Sequence, residues 1–242
     1  MDGQASNNME SLDAEKEPNE QARIEIIGEV NPKVLTREEF GTNATLFHGA
    51  RDSNFQVHEN FDYNQSIVDD STLGSGLYTT ADHELAERYA QNRPGGTMWK
   101  LVPYNARMLN LTSKDQLKNL SFPRELVFEW IDFAQPVIME RARSSESKPE
   151  VRQRLLDVLR KMNDLPTKDF IDLRVDILDT GSSPFSVIDD VWKDFCREKG
   201  WDGVVFVEGG DGDLTRKNDR TYVFYNATKI GTYEDWQQRQ EV

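Results

Sequence analysis

Apolar positions change their period several times along the chain. Residues 23–28, Arg-Ile-Glu-Ile-Ile-Gly, alternate as a short strand does. Thr36-Arg-Glu-Glu puts a capping hydroxyl before two carboxylates, the opening of a helical turn. Ala44-Thr-Leu-Phe-His-Gly and Gly76-Leu-Tyr-Thr-Thr are β-prone runs, and the polar stretch over 50–75 between them reads as loop. Over 82–92, Leu85, Ala86, Tyr89 and Ala90 fall on one helical face, with Asp82 or Thr80 available as cap. Pro94-Gly95-Gly96 marks a turn, and Met98–Val102 and Ala106–Leu111 predict strands.

The middle of the chain has a helical period. Residues 124–142, 150–163 and 186–199 predict helices, the last opening after Ser183-Pro184 and stopping at Gly200. Strand character returns in Gly203–Val207 and Thr221–Asn226, with Gly209-Gly-Asp-Gly as a turn between them. Helices stand apart from strands in this order, so the pattern predicts an α+β protein and not an alternating βαβ chain. Its parts are a core over 23–112 and 200–242 and a mostly helical insertion over 113–199.

Composition changes this picture at the N-terminus. Residues 1–22 hold six acidic residues and one lysine, which predicts a disordered acidic leader. The whole chain carries a formal charge of −14, a field that repels phosphate and disfavours nucleic acid and anionic membranes. The one basic stretch, Arg141 to Lys161, holds seven cations; its plain reading is a solvated helix face, and a docking surface for an acidic target is the other. A single cysteine, Cys196, excludes an internal disulfide framework. No apolar run is long enough to span a membrane. Residues 1–22 have no secretory signal pattern. The expectation is a cytoplasmic protein, with delivery into another cell by a specialised secretion machine left open.

Taken singly, the candidate groups carry little chemistry. The histidines are His48, His58 and His83, and none has a second ligand at zinc spacing. No Gly-x-Ser-x-Gly elbow exists, Gly74-Ser-Gly76 is a poor dinucleotide fingerprint, and Cys196 reads as a small core residue. Tyr222, Phe224, Tyr225 and the tryptophans read as packing residues. The combination says more. His48-Gly49-Ala50-Arg51-Asp52-Ser53-Asn54 is followed by Gly76-Leu77-Tyr78, then by Tyr89 eleven residues after Tyr78, and finally by Arg220-Thr221-Tyr222-Val223-Phe224-Tyr225.

In these segments the chain resembles the diphtheria-toxin-like ADP-ribosyltransferases, most closely the poly(ADP-ribose) polymerase branch, over roughly 40–112 and 200–231. His48, Gly49, Arg51 and Asn54 match that family's His-Gly-(Ser/Thr)-Arg-x-x-Asn, with Ala50 in place of the hydroxyl residue. Gly76, Leu77 and Tyr78 match its Gly-(Ile/Leu)-Tyr, and Tyr89 its second tyrosine, although Ala86 stands where a serine is usual. The last strand matches Asn-Glu-Tyr-(Ile/Val)-(Val/Ile)-Tyr, with Thr221 at the position of the catalytic glutamate.

The resemblance implies a split antiparallel β-sheet core carrying the helical insertion. It implies NAD as co-substrate with no metal, and His48, Tyr78 and Thr221 as the catalytic set. NAD would be held by His48, Gly49, Arg51, Asn54, Gly76, Tyr78 and Tyr89. The Gly49 backbone would take the carboxamide, the two tyrosines would sandwich the nicotinamide, and His48 would donate to a sugar hydroxyl. Arg51 and Asn54 would lie at the adenosine end. Thr221 brings no charge, and Glu208, Asp211 and Asp213 in the preceding turn are the other source of a carboxylate. The implied activity is transfer of a single ADP-ribose to a macromolecular acceptor, in the first place a protein, with the insertion selecting the target. The alternative is a catalytically weak or inactive NAD- or ADP-ribose-binding module acting through protein interaction. An RNA 2′-phosphotransferase shares the architecture, but the acidic charge and the tyrosine pair speak against it.

Overall fold

The structure, a computed structural model, describes residues 24–27, 33–35, 45–50, 76–91, 95–111, 122–178, 187–207 and 220–240. The acidic leader 1–22, the helix start at Thr36, Arg51, Asn54, and Glu208, Asp211 and Asp213 lie outside the described residues.

The strands are β1 (Ile24–Ile27), β2 (Lys33–Leu35), β3 (Leu46–Ala50), β4 (Leu77–Thr80), β5 (Thr97–Pro103), β6 (Ala106–Asn110), β7 (Gly203–Val207), β8 (Arg220–Phe224) and β9 (Ile230–Thr232). The helices are α1 (His83–Gln91), α2 (Val127–Ser144), α3 (Pro149–Asp164), α4 (Asp189–Glu198) and α5 (Tyr233–Gln240). This mixed α+β content agrees with the alternation and helical periods of the sequence. Strands β2 and β9, helix α5 and a π-type turn over Leu173–Leu178 were outside the sequence reading. The first three are short elements at the sheet edge or chain end, where the pattern has too few residues to show a period.

One sheet contains all nine strands, in the order β2-β1-β6-β7-β8-β4-β3-β5-β9. It is not uniformly antiparallel, which corrects the antiparallel core expected from the sequence. β1–β6 and β6–β7 are parallel pairs. The reason lies in the helical segment. Parallel neighbours need a long crossover, and the chain from β6 to β7 runs through α2, α3 and α4. What reads in one dimension as an insertion is the connection between two adjacent strands.

The sheet also folds over on itself. Only Tyr104 and Asn105 separate β5 from β6, a span of at most about 11 Å. In the sheet order these strands stand five places apart, about 24 Å if the sheet were flat. Asn105 makes the corner with φ 46°, a left-handed conformation that asparagine tolerates. The inside of the bend is filled by Leu46, Leu77, Leu101, Met108, Val205 and Phe224.

The outer face is covered by helices. Leu109, Val204, Phe206 and Val223 pack into one cluster with Trp130, Trp192, Phe195 and Trp201 of the helical segment. Its aromatic rings meet edge to face, Trp130 on Trp192 at 5.6 Å and on Phe195 at 5.2 Å between centroids. Ion pairs Arg141–Asp190 and Lys199–Glu129 tie α2 to α4. α1 covers the other half of the sheet. Its cap is Asp82, whose Oδ1 accepts from the amides of Glu84 at 2.8 Å and Leu85 at 3.1 Å. Where the strands meet the crossover, Asp202 acts as a clamp. Its carboxylate accepts from the Arg107 amide at 3.0 Å and from Asn226 Nδ2 at 2.9 Å.

Candidate functional site

The adjacency β8-β4-β3 sets three distant segments side by side. Thr221 pairs with Thr80 and Val223 with Tyr78 across β8 and β4. Side chains alternate along a strand, so Tyr78, Thr80, Thr221 and Val223 share a face. It is the helix-covered face, because Val223 belongs to the cluster under the helical segment and Tyr78 packs against that cluster. Across β3 and β4, Phe47 pairs with Thr80. That register puts Gly49 on the same outer face and the Cβ of His48 on the inner one.

Gly49 sits directly beneath α1. A Cβ added to it would stand 2.1 Å from the Ala86 carbonyl oxygen and 2.9 Å from the Tyr89 Cβ. The helix therefore needs glycine here, and it carries Tyr89 to Gly49. Tyr89 remains 37% exposed. Since α1 fills the space over its Cα, Gly49 can meet a ligand only along its main-chain edge. Gly76 has a packing role of the same kind. A Cβ there would come 2.6 Å from Val223 Cγ1 and 3.1 Å from Tyr225 Cδ1.

His48 reaches the outer residues through the seam between β3 and β4. β3 pairs with β5 through five residues but with β4 at a single position. Beside that position the Nδ1 of His48 donates to the Tyr78 carbonyl at 2.7 Å. A carbonyl has no proton to give, so Nδ1 carries the hydrogen and Nε2 is the accepting nitrogen of the neutral ring. Burial lowers the imidazole pKa below its ordinary 6.5, and the bond to Tyr78 opposes this only in part. The ring is neutral at neutral pH. This reverses the donor role expected for His48: a sugar hydroxyl would donate to it.

Thr221 is 3% exposed and lies beside Thr80, itself buried. The structure thus brings His48, Gly49, Gly76, Tyr78, Tyr89 and Thr221 to three neighbouring strands and the helix above them. Cys196 is buried in the helical core, as its place in a helical pattern implied, and burial pushes its thiol well above the usual range. A residue that sequence reasoning left as packing is Tyr225, whose ring lies over Gly76 next to the Tyr78 strand. Its signal was the glycine opposite it, which is unreadable without the register.

No family model, curated protein or solved structure matches this chain.

The site therefore stands on its own residues. Among the described residues no group of three or more His, Cys, Asp or Glu side chains is placed to hold a metal ion. Among them, too, no helix is long and apolar enough to cross a membrane.

Proposed function

We propose that the protein is an NAD-dependent mono-ADP-ribosyltransferase of the diphtheria-toxin-like class, acting on a macromolecular acceptor, in the first place a protein. The observation that carries this reading is the convergence at the β3–β4 seam. His48 holds the Tyr78 carbonyl at 2.7 Å, Tyr89 stands against Gly49, and Thr221 lies on the next strand. Those residues are 173 positions apart at the extremes (221 − 48), and they are the ones the resemblance implies.

The chemistry follows from the residue types. Nicotinamide would lie between Tyr78 and Tyr89, each stack contributing about 1 kcal/mol. The main-chain edge of Gly49 would meet its carboxamide. Nε2 of His48 would accept from a sugar hydroxyl and fix the ribose. The bond from the ribose C1′ to the ring nitrogen breaks, and its electron pair leaves with nicotinamide. The acceptor's nucleophilic atom bonds to C1′ and loses its proton to solvent or to a base of its own.

Thr221 sets the limit of this site. A threonine can hydrogen-bond the ribose but supplies no negative charge to the oxocarbenium-like centre. Loss of one placed electrostatic contact costs about 10²–10³ in rate. Chain elongation, which needs an activated hydroxyl, is disfavoured, and a single transfer to an acceptor already nucleophilic is favoured. The same residue supports a second reading, an NAD- or ADP-ribose-binding module without turnover. Incubation with labelled NAD, with and without a cell lysate, separates the two. The transferase releases nicotinamide and labels a macromolecule on a gel. Binding without nicotinamide release leaves the module, and no binding of either NAD or ADP-ribose at millimolar concentration overturns both.

A further inference from the structure

Tyr225 is an aromatic residue on the outer face of the sheet that the site as described does not use. Tyr225 follows β8, and its main chain is fixed where its amide donates to the Asp202 carbonyl at 2.8 Å. Continuing the β4–β8 register one step beyond Leu77 and Phe224 sets Tyr225 opposite Gly76. A Cβ at Gly76 would meet Val223 Cγ1 at 2.6 Å and Tyr225 Cδ1 at 3.1 Å, so the bare glycine leaves room for the Val223 side chain and for the edge of the Tyr225 ring. Tyr78 is two residues along the same strand and points to the same face. Both rings pack against the helical core that contains Trp192 and Cys196 of α4.

The electrostatics of Tyr225 describe the same neighbourhood. Burial first, then the Cys196 thiol and the Tyr78 phenol, push its hydroxyl well above the ordinary phenol range. The Tyr78 phenol is therefore near enough to influence that of Tyr225, which stays uncharged at neutral pH.

We infer that Tyr225 is a positioning residue: its ring, seated over Gly76 and backed by α4, holds the Tyr78 ring in the orientation the site uses. The helical crossover is then part of the site's scaffold, through α4. Gly76 acts by making room for Tyr225 and not by touching a ligand. The consequence for NAD rests on the function proposed above; the positioning of one ring by the other does not.

Two readouts on protein carrying ¹³C-labelled tyrosine keep these apart. The Tyr78 ring signal is assigned by its loss in Tyr78→Phe. In Tyr225→Leu that signal is expected to shift and broaden, and NAD affinity to fall about tenfold. Tyr225→Phe keeps the ring, so the Tyr78 signal and an affinity within about threefold of wild type should be retained. Gly76→Ala crowds Val223 and the edge of the Tyr225 ring and should likewise shift the Tyr78 signal, which covers the case of a Tyr225→Leu protein that does not fold. An unchanged Tyr78 signal in the folded Tyr225→Leu or Gly76→Ala protein overturns the inference. So does a Tyr225→Phe protein as impaired as Tyr225→Leu. Wild-type protein that binds no NAD, with Tyr78 still responsive to Tyr225→Leu, overturns the functional reading and leaves the positioning contact standing.

Discussion

Gly49 and His48 each carry one decisive contact, Thr221 would carry one to the ribose under the function proposed above, and each has a measurable consequence. Gly49→Ala would drive a methyl to 2.1 Å from the Ala86 carbonyl, so α1 must shift. The expected loss is about 1–3 kcal/mol of stability, read by denaturant unfolding. His48 has its pKa lowered from 6.5, chiefly by burial. The unfolded chain therefore takes up the proton first as pH falls, and stability declines from 6.5 down to the folded pKa and then levels off. NAD binding should persist through pH 6.5 and fall only further down, where Nε2 becomes protonated and can no longer accept. Calorimetry across that range would contradict this if the midpoint lay at or above 6.5. Thr221→Ala removes one neutral hydrogen bond of about 1 kcal/mol and should slow nicotinamide release about fivefold. A complete loss would mean that Thr221 does more than donate or accept once. His48, Tyr78, Tyr89 and Thr221 were candidates through the resemblance of their motifs. The proton position on His48 was not legible in the sequence, because it depends on a carbonyl 30 residues away that only the strand pairing brings near.

At the scale of elements, local signals located most pieces. The Asp82 cap, the helical face of α1 and the alternation in β7 and β8 all stand where the pattern put them. Asp82→Ala should cost about 1 kcal/mol by loosening the first turn of α1. The effect should appear as faster hydrogen exchange over His83–Glu87, ahead of any change in the strands. Trp192 is the larger test. It is fully buried and touches Phe122, Trp130 and Phe195 at 6.0, 5.6 and 6.0 Å between ring centroids. Trp192→Ala should lower stability by about 3–5 kcal/mol and shift the melting midpoint accordingly. The basic stretch of 141–161 falls partly into local pairing: Arg141 holds Asp190, Arg160 holds Asp157, and Lys161 donates to the Val175 carbonyl at 3.3 Å. That supports the plain reading of a solvated helix face over a docking site.

At the scale of the whole molecule the crossover and the charge matter most. Deleting 113–199 would uncover Leu109, Val204, Phe206 and Val223 and leave parallel strands β6 and β7 without a connection. Such a variant should fail to unfold cooperatively in a thermal scan. A folded deletion variant that still binds NAD would show that the sheet is independent of its helices. The net charge of −14 repels NAD, whose two phosphates are anionic. Raising salt from low to physiological strength screens that repulsion, so NAD affinity is expected to rise. A steep fall with salt would instead mark a local cationic contact with the phosphates.

The sequence by itself determined the kinds of element and most of their extents, which depend on side-chain period and caps, local properties of the chain, while the residues of the candidate site came from the resemblance of its motifs. It could not determine which strands are neighbours, because pairing is a contact between segments far apart. Tertiary structure alone decided that β6 and β7 lie parallel, and so that the helical segment is their crossover and shares their core. It also decided why Gly49 and Gly76 are glycine. One bears the backbone of α1 and the other the side chains of Val223 and Tyr225, and none of these neighbours is adjacent in sequence.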